Sequence, residues 1–250
     1  KFNMEVGDGD RKQLMSGTID RVDICENGTD VYVRIIDYKT GKKDFNIVKT
    51  YYGIDIQLMV YMEAAMKLVA KMRPGKNVIP AGVFYYNISD PIVSATTESA
   101  EEIEDKIKGE LRLKGMVNSD KDIAEKMDNT EGTSLNIPVS RKADGGFDSR
   151  RSKVMNTEQF NMLGRFVDVR AVDTADRIAG GDIRRSPYKD GQFSSCDRCP
   201  YGAVCGFSVD LPGCNYRKLK KFDDEVLWNN IEEGVDENGK KMDTGAEERD

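Results

Sequence analysis

Residues 17–43 read GTIDRVDICENGTDVYVRIIDYKTGKK, and they pose an electrostatic problem. Two runs rich in β-branched residues, LMSGTIDRVDIC and VYVRIIDYK, flank the segment ENGTD, whose Asn27-Gly28 is a hairpin turn signal. Side chains alternate along a strand, so Asp37 and Lys39 point to one face. With a turn from Asn27 to Asp30, Glu26 pairs with Val31, and counting outward sets Asp20 directly opposite Asp37. Cβ atoms of such a pair lie about 4.5–5.5 Å apart, where like charges destabilise the sheet. A slip of one residue would flip the face and undo the arrangement.

A hard divalent cation resolves the conflict. Mg2+ favours one or two carboxylates completed by waters and substrate phosphate oxygens. The pattern therefore points to Asp20 and Asp37 as ligands of Mg2+ or Mn2+. Lys39 is then placed to orient a water or to stabilise charge on a phosphoryl oxygen. The chemistry this implies is phosphodiester hydrolysis without a covalent intermediate. Most D-x-K triplets are exposed hairpin ends with solvated charges, and the opposed Asp20 counts against that reading here. Gln57 and Tyr61, four residues apart, share one face of the helix that follows. Both reach the site if that helix packs behind the hairpin, whereas periodicity alone makes Tyr61 a core residue.

The chain has 250 residues and a net charge of -6, so any contact with phosphate has to be local. Basic runs at Lys42-Lys43, Arg150-Arg151-Lys153, Arg184-Arg185 and Lys218-Lys220-Lys221 could follow a nucleic-acid backbone, and each alone also describes a solvated surface. The chain holds no histidine, which removes Ser-His and Cys-His catalysis and most catalytic zinc sites. There is no apolar run of membrane-spanning length. The opening KFNMEVGDGD carries neither an initiator Met nor a leader, so a piece of a longer cytoplasmic protein is expected. No G-x-x-x-x-G-K-S/T loop is present, so an ATP-driven motor would lie elsewhere.

The remaining pattern predicts a mixed α/β domain. GIDIQLMVYMEAAMKLVAKM carries a helical apolar stripe stopped by Pro74-Gly75, and AGVFYYNIS is a third strand. Ser99 and Glu102 have capping-box spacing at the head of a charged helix ending near Gly115. A short helix is predicted around KDIAEKM, and SLNIPV is a candidate edge strand. A long helix runs from the Asn156 cap to Gly180-Gly181. Residues 1–190 are read as the core, 191–230 as a cysteine-rich segment and 231–250 as a loosely held acidic tail.

Cys196-x2-Cys199-x5-Cys205 is spaced for a metal or an iron–sulfur cluster. Composition alone favours zinc, with Cys214 as a candidate fourth ligand. Cys25 follows the strand that carries Asp20 and is expected to face the sheet.

GTIDRVD, VRIIDYKTGKK and YYGIDIQLMVYMEAA together resemble the PD-(D/E)XK nuclease superfamily, in the branch shared by RecB-type and Cas4-type nucleases. PAGVFYYNISDPIV, SSCDRCPYGAVCGF and LPGCNYRKL narrow the resemblance to the nuclease regions of the B subunits of AddAB-type helicase–nucleases, over about Glu5 to Leu219. The resemblance implies a restriction-endonuclease-like mixed sheet flanked by helices and a metal-dependent DNA exonuclease acting in recombinational repair. It assigns Asp20, Asp37 and the main-chain carbonyl of Tyr38 to the metal, Lys39 to catalysis, and Gln57 and Tyr61 to the Q-x-x-x-Y pair. Its substrate would be single-stranded DNA, on the strand ending 5′, with an AddA-like partner subunit. It points to a 4Fe–4S cluster on Cys196, Cys199 and Cys205 whose fourth cysteine lies outside this chain, so the cluster is expected to be missing from this piece. It gives Cys214 no role. Related nucleases often add an acidic or His ligand from upstream, which would lie before Lys1. Two other readings are a catalytically silent DNA-binding scaffold and a stand-alone Cas4-like nuclease.

Overall fold

The computed structural model describes residues 1–6, 12–88, 90–93 and 99–236. The chain opens with an antiparallel ribbon of β1 (Phe2–Val6) and β2 (Gln13–Gly17). A five-stranded sheet follows, in the order β3 (Arg21–Asn27), β4 (Asp30–Lys39), β5 (Asn77–Asn87), β6 (Lys114–Asn118) and β7 (Val154–Met155). Its neighbours alternate between antiparallel and parallel pairing, so the sheet is mixed. The fold is thus the expected mixed α/β core flanked by helices, with the cysteines in a C-terminal segment.

The β3–β4 hairpin forms as its sequence demands. Glu26 pairs with Val31, and the ladder continues one step further to Asn27–Asp30, leaving Gly28-Thr29 as the turn. Gly28 has φ 61 at the first central position, where a type II′ hairpin turn needs its glycine. The single strand read from LMSGTIDRVDIC is corrected: Thr18–Asp20 break it, so β2 pairs with β1 and only β3 joins the large sheet.

Central β4 is buried on both faces. Val31, Val33 and Ile35 point to one side, where α2 (Gln57–Met72) and α5 (Thr157–Ala179) cover them. Ile36 points to the other, against Phe84, Val117, Ile137, Val139 and Ala124 of α4 (Lys121–Met127). A parallel pair needs a long crossover, and between β4 and β5 this is α1 (Ile47–Tyr51) plus α2. The register of this pair shifts between Val33 and Arg34, so Ala81 is an extra residue beside Pro80. Proline has no N–H for the ladder and belongs at such an irregularity. The Pro80 carbonyl instead accepts 2.7 Å from the buried Asn118 amide.

Ser99 and Glu102 cap α3 (Ala100–Leu111) reciprocally, and Asn156 and Gln159 do so for α5. SLNIPV is not a strand: Ser134, Ile137 and Val139 are buried in an irregular segment that plugs the second face. A small sheet of β8 (Tyr188–Asp190), β9 (Phe193–Ser194) and β10 (Arg217–Lys218) frames the cysteines around the short α6 (Gly202–Cys205). The boundary read at residue 190 therefore falls inside a sheet. Finally, α7 (Asp224–Asp236) packs on α5 with Leu227 and Ile231 buried. The tail reading is corrected for residues 231–236, which belong to that helix, while 237–250 lie outside the described residues. None of the described helices is long and apolar enough to cross a membrane.

Candidate active site

The odd-numbered face of β4 continues from Val33 and Ile35 to Asp37 and Lys39, so the hydrophobic alternation that builds the core also carries these two groups to the α2 side. Asp37 is 3% exposed. Its Oδ2 lies 2.6 Å from Lys39 Nζ, a close ion pair. At this separation the ammonium is the partner that offsets the buried charge. Lys39 Nζ donates to Gln57 Oε1 at 2.9 Å, and Gln57 Nε2 donates to the Tyr61 hydroxyl at 2.8 Å. Gln57 opens α2 and Tyr61 lies one turn on, which aligns both with the end of β4. Tyr61 is half-buried, its ring edge-on to Phe2 at 5.9 Å. It is both a packing residue and the end of a polar line.

Asp20 sits at the bend just before β3, one step beyond the last ladder pair, Arg21–Ile36. Its Oδ2 accepts 2.9 Å from the backbone N–H of Tyr38, which fixes it beside the Asp37–Lys39 pair without burying it. Tyr38 turns its ring to the opposite, exposed side, edge-on to Tyr86. The structure thus brings Asp37, Lys39, Gln57 and Tyr61 into one connected line and anchors Asp20 alongside it.

The carboxylates of buried Asp37 and exposed Asp20 suit a hard cation, which needs oxygen ligands of this kind. Among the described residues no three His, Cys, Asp or Glu side chains converge as a ligand set, so a cation here would rest on two carboxylates and its substrate or water. The same observation covers the cysteines. All five are free thiols, and Cys196, Cys199 and Cys205 do not come together. Cys214 is buried, and Cys25 is exposed on edge strand β3 instead of facing the sheet interior.

Three further residues border the candidate site, and of these only Lys43 carried a sequence signal, as part of the basic run Lys42-Lys43. Tyr85 lies beside Asp37 in the parallel ladder and is fully buried. Its hydroxyl donates 2.7 Å to Oδ1 of Asp55, itself 5% exposed. Burial, then the charges of Asp55 and Asp37, push the Tyr85 phenol far above its ordinary range, so it stays a neutral donor. Asp55 Oδ2 lies 3.0 Å from Lys43 Nζ. A cleft of about 380 Å³ opens here, its wall including Gly17, Lys43, Asp55, Gln57 and Tyr61.

A family profile of the PD-(D/E)XK nuclease superfamily matches residues 1–206. The chain belongs to that superfamily. It is similar to bacterial proteins named as the B subunits of ATP-dependent helicase/deoxyribonucleases. That of Thermoanaerobacter sp. (strain X514) is 37% identical over 229 residues, covering 91% of this chain and 20% of the relative. That of Caldanaerobacter subterraneus subsp. tengcongensis is 39% identical over 233 residues, 92% of this chain and 20% of the relative. That of Lachnoclostridium phytofermentans is 37% identical over 250 residues, 96% and 21%. The chain spans about a fifth of the length of these curated relatives.

Proposed function

We propose that this chain is a divalent-metal-dependent deoxyribonuclease domain that hydrolyses single-stranded DNA within a helicase–nuclease complex. The observation that carries the reading is the polar line from Asp37 through Lys39 and Gln57 to Tyr61, which begins at a buried carboxylate paired with a lysine. Burying such a pair is costly, and a non-catalytic scaffold has no use for a carboxylate and an ammonium held together at a strand end.

Asp20, Asp37 and the Tyr38 carbonyl would hold Mg2+ or Mn2+. When bound, that ion polarises the scissile phosphate and makes a water a better nucleophile. Lys39 supplies ammonium N–H donors for the attacking water or for a phosphoryl oxygen gaining charge. Gln57 fixes where those donors lie. Because its amide N–H groups face the Tyr61 hydroxyl, its amide oxygen is turned to Lys39. No residue acts as a covalent nucleophile.

The names of the relatives join a helicase to a deoxyribonuclease. From this we infer an AddA-like partner subunit, a cytoplasmic role in DNA-end processing for recombinational repair, and a motor outside these residues. Cys196, Cys199 and Cys205 keep the spacing for a 4Fe–4S cluster completed from elsewhere in a longer polypeptide. They do not converge here, and no part in the reaction is assigned to them.

The test is cleavage of a labelled single-stranded oligonucleotide by the full-length polypeptide with Mg2+ or Mn2+. Asp37→Ala and Lys39→Ala should each lower the rate about a hundred- to a thousandfold. Undiminished cutting by Asp37→Ala, or cutting that persists in excess chelator, would refute the reading.

A further inference from the structure

We propose that Lys43 binds a backbone phosphate of the DNA strand next to the scissile one, and that Asp55 is the positioning residue that holds its ammonium there; this rests on the nuclease reading above.

Lys43 is fixed twice over for a surface lysine. Its backbone N–H donates 3.0 Å to Asn87 Oδ1, and its carbonyl accepts 3.1 Å from Asn87 Nδ2. Asn87 is the ladder partner of Lys39, so this clamp ties Lys43 to the strand end that carries the catalytic lysine. At the other end of the side chain, the ammonium meets the buried Asp55 carboxylate. Tyr85 joins the two lysines. Lys39 Nζ and Lys43 Nζ lie over its ring, 5.5 and 5.6 Å from the centroid, and its hydroxyl fixes Asp55 from the far side.

The arrangement leaves Lys43 able to take a ligand. Its side chain is 40% exposed and forms part of the wall of the cleft that Gln57 and Tyr61 also line. An ammonium has three donors, and its contact with Asp55 Oδ2 at 3.0 Å takes up one of them. The other donors remain for an anion entering the cleft. Asp55 offsets part of the ammonium charge while nothing is bound, and holds the group where a phosphate finds it. Contacts of this kind set the position of a strand and read no sequence.

The experiment uses the full-length polypeptide and a labelled single-stranded oligonucleotide, with kcat and KM measured over a range of salt. Lys43→Ala should raise KM about fivefold with kcat within about twofold, and should flatten the log–log salt dependence by about 0.7. Lys43→Arg should restore most of the KM and the whole slope. Asp55→Asn should raise KM while leaving the slope intact, because the cation is still present but no longer held. A Lys43→Ala protein with parental KM and slope overturns the proposal. So does a Lys43→Arg protein as impaired as Lys43→Ala, since that would mark a structural role for the lysine. Asp37→Ala is run alongside. If it cuts as fast as the parent, the nuclease reading itself falls, and this proposal with it, an outcome distinct from a failure at Lys43 alone.

Discussion

Glu63 offers a quantitative test of how α2 packs on α5. It lies two residues beyond Tyr61 on α2 and is pressed onto Gly164 of α5, so closely that a Cβ added at Gly164 would meet Glu63 Oε1 at 1.9 Å. One turn further along, Lys67 of α2 pairs with Asp168 of α5 at 3.4 Å. Burial first, then the neighbouring Asp168 charge, raise the Glu63 carboxyl from 4.5 to about 7, against the opposing pull of Lys67 and Arg165. The folded protein therefore holds this proton more tightly than the unfolded chain does. Stability is unpenalised below the unfolded value, falls as pH rises between the two values, and carries the whole penalty above about 7. A shift of this size corresponds to about 3 kcal/mol at 1.36 kcal/mol per unit. Glu63→Gln keeps the shape and removes the charge. It should stabilise the protein by about 2–3 kcal/mol near pH 8 and by close to nothing near pH 4. Urea unfolding at the two pH values measures the difference directly. Equal effects of the substitution at both would show that Glu63 is not desolvated at this interface.

Gln57→Ala should release the Lys39 ammonium and lower kcat about tenfold with little change in KM, and Tyr61→Phe should do the same more mildly. Steady-state cleavage kinetics separate the two constants, and a pure KM effect would contradict the positioning role. Gly115→Ala sets a Cβ 1.9 Å from the Val83 carbonyl oxygen, a backbone atom that cannot swing away. The expected cost is about 3 kcal/mol or more, seen as a lower urea midpoint; an unchanged midpoint would mean that β5 and β6 do not approach this closely. Burial alone would raise the Asp128 carboxyl, but hydrogen bonds from Ser134, Thr130 and Asn136 outweigh it and hold the group at about 2. Its contribution is therefore present above the ordinary carboxylate range and lost as pH falls toward about 2, and Asp128→Asn should flatten that acid limb in a thermal-unfolding series.

The part of the site legible in the sequence is the part made by local pairing. The β3–β4 register follows from one turn and strict alternation, and it carries the ladder as far as Arg21–Ile36, one step short of Asp20. Helix caps at Ser99 and Asn156 were legible for the same reason, since a cap is written within four residues. Strand β6 and helix α7 were not. The first is a five-residue strand hidden behind the charged helix α3, and the second buries Leu227 and Ile231 from a stretch whose composition reads as solvated.

Tyr85 and Asp55 escaped for a deeper reason, and Lys43 was legible only as part of a basic run. Tyr85 reaches Asp37 through a parallel pairing closed across α1 and α2, and no turn signals such a contact. Identifying β5 correctly would not have been enough. Val78 packs on the α2 side, and counting in twos from it puts Pro80, Gly82 and Phe84 on that face. The extra residue at Ala81 reverses the parity, so Val83 and Tyr85 face α2 while Phe84 turns to the opposite core. One irregularity beside a proline thus decides whether a phenol or a phenyl ring lies next to Asp37. The phenol does two things there: its hydroxyl holds Asp55 from within the core, and its ring lies under both lysines. Sequence alternation delivers the carboxylates of this site, and a break in alternation delivers the residue that joins its two halves.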